Sequence, residues 1–150
     1  MKKPIRIIAA LLLAAALMAL MAACSSEDTK KEKTYKWGET EFKVTDITDD
    51  ESVIGDQKNT MEGKGVAVKI DFGEGTISQS QFEQNVARGM LMLAGKKPKN
   101  YNYHMANMTL GANGFVAQIT GETVIFFDMD KDYKINPEDL VIKDDPAESK

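Results

Sequence analysis

The chain has 150 residues, room for one domain with appendages and too little for two ordinary domains. Apolar residues make up 43% and charged residues 28%, a globular mixture that argues against general disorder. One Cys and one His exclude an intramolecular disulfide, a Cys-based zinc cluster and a multi-histidine metal site, and a net charge of −4 offers no basic excess for nucleic acid.

The chain opens on a positive segment, Lys2, Lys3 and Arg6, followed by an apolar run over residues 7–23. That run falls short of the roughly 20 residues of a spanning helix and ends in small residues, as a cleavable signal does. Its last residues, Leu20-Met21-Ala22-Ala23-Cys24, resemble the lipobox of bacterial lipoproteins, with Met21 where Leu is usual. The resemblance implies that residues 1–23 are a signal peptide, that cleavage precedes Cys24, and that the Cys24 thiol takes a diacylglycerol. Two acyl chains give stable anchoring, at about 0.8 kcal/mol per buried methylene. Loss of residues 1–23 leaves 16 basic and 23 acidic groups, net −7. An anionic membrane surface repels such a body, so the lipid and not electrostatics would hold it.

Residues 24–33 read as a flexible tether. Ser25 to Lys33 contains no apolar side chain, and nine or ten such residues span about 18 Å r.m.s.. Ser25, not Asp, follows the Cys, which by analogy with lipoprotein sorting gives no argument for inner-membrane retention. The expected location is the extracytoplasmic face of the cell membrane.

From Tyr35 the dominant period is two. Glu41-Phe42-Lys43-Val44-Thr45 alternates, and so does Gly65 to Phe72, with Val66, Val68, Ile70 and Phe72 on one face and Gly73-Glu74-Gly75 as its expected end. Residues 48–65 are polar and punctuated by Gly55, Asn59 and Gly63, which predicts a long loop. Phe82, Val86, Met90 and Leu93 form a helical stripe with Gly89 inside it. The preferred reading is a short helix over 80–87, then a strand over 90–93 turning through Gly95-Lys96-Lys97-Pro98 to Tyr101–Met105. Phe115–Ile119 and Thr123–Met129 read as a hairpin about Thr120-Gly121-Glu122, with Ile125, Phe127 and Met129 inward. Leu140-Val141-Ile142 is the last strand, and residues 146–150 a disordered tail. Several short strands between turn signals predict a mainly β, antiparallel sandwich over 34–145 with one short helix.

These passages, in this order, resemble the immunoglobulin-like, telokin-like domains of unknown function in lipoproteins of Gram-positive bacteria. The residues that carry the resemblance are Lys36-Trp37-Gly38-Glu39-Thr40 before Phe42 and Val44, Val66 to Ile70, Phe82, Met90 to Leu93 with Gly95-Lys96-Lys97 and Tyr101, Gly121 to Asp128, and Leu140 to Ile142. Asp130 stands where that family commonly has Pro. The resemblance implies an immunoglobulin-like β-sandwich that serves as an interaction or structural module.

The sharpest local pattern is 128–139, similar to a calcium loop. Asp128, Asp130, Asp132, the Lys134 carbonyl, Asn136 and Asp139 take positions one, three, five, seven, nine and twelve, and would supply hard oxygens. Tyr133 replaces the usual Gly at position six, and no flanking helix follows. The competing reading is a strand end whose aspartates face water. Tyr101, Tyr103 and His104 form a possible binding surface, since Tyr offers an apolar face with a polar tip. Asp46, Asp49, Asp50 and Glu51 read as a solvated loop. Trp37 reads as a core or sheet-edge anchor, and Met61, Met90, Met92, Met105, Met108 and Met129 as packing. No nucleophile-elbow pattern and no phosphate-binding glycine loop is present. The sequence therefore points to a non-enzymatic, lipid-anchored module without cofactor, bound to the membrane through Cys24 and to an unknown protein or envelope component. The alternative is a surface accessory module stabilised by calcium on residues 128–139. A third reading, a hydrolase of the envelope, has no locatable site.

Overall fold

The computed structural model describes residues 33–146. They form a mainly β domain of antiparallel sheets with short helices. Strands β1 (Thr34–Gly38) and β2 (Thr40–Thr48) make a tight hairpin in which Trp37 faces Thr40. Gly38 adopts φ +62°, the left-handed value that the first turn position of this hairpin type demands. Helix α1 (Glu51–Ile54) follows, capped by Asp50, whose carboxylate accepts from the Ser52 N–H at 2.8 Å, and a 3₁₀ turn over Gly55–Thr60 extends it. The expected long loop over 48–65 is therefore largely helical. The Asp-Glu-Ser sequence that reads as loop is also a helix N-terminus.

Strand β3 (Lys64–Ser78) is the spine of the sheet. It runs on through Gly73-Glu74-Gly75, which the sequence marks as its end. The register shows why: Asp71 pairs with Glu122 and Thr76 with Thr120, so Phe72 to Gly75 lie opposite the single Gly121. This is a bulge, not a turn. Gly73 and Gly121 both sit at positive φ, and the Thr120 hydroxyl donates to the Gly75 carbonyl at 2.9 Å. For the same reason the expected hairpin at 120–122 does not form, and residues 114–129 are one strand.

Helix α2 (Gln79–Ala87) starts at Ser78, whose hydroxyl accepts from the Gln81 N–H, and ends before Gly89 at φ +74°. Strand β4 (Leu91–Leu93) follows, so residues 78–94 are helix then strand. Its partner is not Tyr101–Met105 but β7 (Leu140–Ile142), with Met92 opposite Val141. Strands β5 (Asn100–Gly111) and β6 (Gly114–Met129) form a long hairpin. The six-stranded sheet runs β5-β6-β3-β2-β1-β8, and β8 (Asp145–Pro146) lies parallel to β1. Pro146 therefore belongs to the sheet rather than to a tail.

One face of the large sheet carries the main core. Val66, Val68, Ile70 and Phe72 of β3 and Ile125, Phe127 and Met129 of β6 pack with Trp37, Phe42, Phe82, Leu91 and Leu93. The inward sets expected from the period of two are the ones observed. Trp37 is fully buried, and its indole N–H donates to the Lys143 carbonyl at 2.9 Å, tying β1 to the C-terminal segment. On the other face Ile54 of α1 covers Ala67 and Phe126.

Candidate functional site

The three candidate binding residues stand on β5, and two of them come together. Strand alternation places Tyr101, opposite Ile125, and Tyr103 on the core side, with a bulge between Asn102 and His104. Their rings stack at 5.7 Å between centroids, and each meets Phe82 edge-on, at 5.2 and 5.9 Å. The Tyr103 hydroxyl donates to Glu83 Oε1 at 3.5 Å, and Gln79 Nε2 donates to the same oxygen at 2.8 Å. Burial pushes both hydroxyls above the usual tyrosine range, and the negative charge of Glu83 acts in the same direction. His104 is exposed, opposite Thr120, one residue beyond the pair.

Past this tyrosine base the hairpin leaves the sheet. The last pair that β3 makes with β6 is Ser78 with Gln118, while β5 and β6 stay paired out to Gly111 and Gly114. At the base of this ribbon, where Ile119 still pairs with Ile77 of β3, Met105 stands opposite Ile119; beyond it Met108 stands opposite Ala117 and Leu110 opposite Phe115. Side chains alternate along a strand, so Phe115 and Ala117 share the face of Ile119, a residue of the main core. The inward face of the sheet thus continues onto the ribbon, and among the described residues it is left largely open. Met105 is 56% exposed, Met108 63%, Leu110 78% and Phe115 71%. The reading of all six methionines as packing is corrected for Met105 and Met108, because their strands extend beyond the elements that would have covered them. A sequence signal for this surface exists: no Asp, Glu, Lys or Arg occurs from Asn100 to Gly121.

The acidic segment is arranged otherwise. Asp128, on β6, accepts from the backbone N–H groups of Glu62 and Gly63 at 2.9 and 2.8 Å. Asp130 pairs with Lys96 at 2.7 Å. Asn136 caps the 3₁₀ turn Pro137–Asp139 by accepting from the Glu138 N–H, and Asp139 takes the Tyr133 hydroxyl at 3.1 Å. Asp132 and Lys134 are exposed. Tyr133 and Ile135 pack on the core, which pins the segment flat where a calcium loop would wrap around its ion. Among the described residues no three His, Cys, Asp or Glu side chains form a group able to hold a metal. The structure therefore does not gather the expected ligands of residues 128–139 into one side-chain group. A polar groove of about 300 Å³ lies alongside, lined by Glu62, Gly63, Lys96, Asp128, Met129, Asp130 and Lys131.

Asp128 fastens the start of β3 to the end of β6. The two N–H donors, Glu62 first, hold its carboxyl below the usual carboxylate range. A depressed folded pKa means that this stabilisation is complete above the unfolded value of about 3.9 and disappears as pH falls through the folded one. Asp128→Ala is expected to cost about 1–3 kcal/mol at neutral pH, because two backbone donors lose their acceptor. The gap from wild type should narrow on acidification below about pH 4. Urea unfolding at pH 7 and at pH 3 checks both statements.

These observations define a mainly antiparallel β domain with a charge-free apolar ribbon at one end. No family model, no curated protein and no solved structure matches the chain. Among the described residues no helix is long and apolar enough to cross a membrane. The signal over 1–23, Cys24 and the tether up to Glu32 lie outside the described residues.

Proposed function

We propose that this chain is a binding module of the cell envelope, anchored through lipid on Cys24 at the extracytoplasmic face of the membrane, and that the apolar face of the β5–β6 ribbon is its binding surface. The observation that carries the reading is the exposed set Met105, Met108, Leu110 and Phe115 on one face of a ribbon without charges. Four large apolar side chains left open together are an interaction surface by the ordinary rule that monomers expose few such patches. The lipobox-like residues before Cys24 support the anchor. The immunoglobulin-like sandwich belongs to the same proposal. It draws support from the second sheet, in which Leu91 and Leu93 of β4 share one core with the inward residues of the large sheet.

Two measurements on the full chain in its own host test the reading. Mass spectrometry of the product should find residues 1–23 removed and a diacylglycerol on Cys24; an unmodified thiol on an uncleaved chain refutes the anchor. On intact cells, Leu110→Cys should react with a polar maleimide several-fold more slowly than Lys131→Cys on the open 130–132 turn. Equal rates would mean that nothing covers the ribbon.

A further inference from the structure

We infer that the occupant of the ribbon's apolar face is a second copy of this chain, packed face to face about a two-fold axis. The inference rests on the binding surface proposed above and adds its partner.

Charge selects the partner. Without residues 1–23 the chain carries an excess of seven negative charges, so two copies repel one another over most of their surface. From Asn100 to Gly121 there is no charged side chain to oppose a second copy. The ribbon is therefore where like molecules approach most easily. Two of the usual protections against self-association, Lys and Pro, are also missing from it. Strand β5 is the free edge of the six-stranded sheet, and it holds neither Lys nor Pro.

Area and symmetry agree. At about 150–200 Å² per large side chain, the exposed parts of Met105, Met108, Leu110 and Phe115 amount to about 500 Å² on each copy. A two-fold pair that covered all of it would bury about 1,000 Å², the least that a specific interface needs. An isologous contact needs one self-complementary patch, and an uncharged apolar face meets that requirement without matching of opposite charges. The ribbon also needs a cover. Beyond Gln118 it is only two strands wide, and an isolated pair of strands is marginal in water. A facing copy turns it into two packed layers, with Leu110 and Phe115 of each copy against those of the other.

The test uses two full chains with different epitope tags, produced together in the same cells. A photoreactive p-benzoylphenylalanine at Met108 should yield a covalent product that holds both tags. The same group at Lys131 should yield none. Phe115→Ser in both copies should lower the yield by about a hundredfold, the loss of one buried aromatic side chain from each copy. Thr109→Ala, on the opposite face of the ribbon, should leave it unchanged, which separates loss of the surface from loss of the ribbon. A product that joins the chain only to other proteins or to lipid overturns the pairing while leaving the binding surface intact. Absence of any product, together with free maleimide reaction at Leu110→Cys, overturns both.

Discussion

Phe82→Ala is expected to remove about 3–5 kcal/mol of stability, a large part of the 5–15 kcal/mol that holds a domain of this size. Phe82 lies on α2, four residues before Val86, and it is fully buried. Its ring touches rings from three strands: Trp37 of β1 at 6.0 Å, Phe72 of β3 at 6.4 Å, and Tyr101 and Tyr103 of β5. Truncation would open a cavity between the helix and the sheet that no neighbour can fill without giving up its own contacts. Phe82→Leu keeps most of the volume and loses the edge-to-face contacts, each worth about 0.5–1.5 kcal/mol. It should fall between wild type and Phe82→Ala. Denaturant titration followed by the fluorescence of Trp37, 6.0 Å away, reads both variants. A cost for Phe82→Ala below about 1 kcal/mol would show that α2 does not close the core.

The same residue shows what the sequence makes visible. Phe82 and Val86 at helical spacing, then Leu91 and Leu93 at strand spacing, are inward in the structure as their periods require. The inward sets of β3 and β6 are legible for the same reason: a residue's neighbours along the chain fix its face. Glycines are legible as interruptions and ambiguous as to kind. Gly73 and Gly121 both read as strand ends, yet they lie in one bulge joining two strands distant in sequence, and only that pairing distinguishes a bulge from a turn. The pairing of β4 with β7 is invisible for a similar reason, because no local pattern names a partner about fifty residues away.

The candidate surface was half legible. Alternation assigns Met108 and Leu110 to a face, but packing or exposure depends on whether another element lies over that face. The core side of the sheet is covered by α2, β4 and the 130–139 segment, and the ribbon extends past them. The missing charges from Asn100 to Gly121 were the available sign. In the acidic stretch at 128–139, spacing and contacts point in different directions. Its spacing suits a cation, while Asp128 is taken up by backbone N–H groups, Asp130 by Lys96 and Asp139 by Tyr133.

Gly63→Ala is expected to cost about 3 kcal/mol, a loss that no local propensity foretells. Gly63 precedes β3 at the point where that strand meets the end of β6, and Lys64 pairs with Met129. A methyl group at Gly63 would fall on the Met129 carbonyl oxygen, with the Asp128 carboxylate close by at 3.1 Å. The obstacle is backbone, so no rotamer change relieves it. The strands would have to part, which would also stretch the Gly63 N–H bond to Asp128. Gly95→Ala is the control. Gly95 has φ +76° and open space around it, so substitution there costs only the left-handed backbone, about 1 kcal/mol. The two variants compared by urea midpoint separate contact from conformation. Equal shifts would mean that β3 and β6 do not approach as closely at Gly63 as the structure places them, and with that the clasp formed by Asp128 would lose its geometric basis.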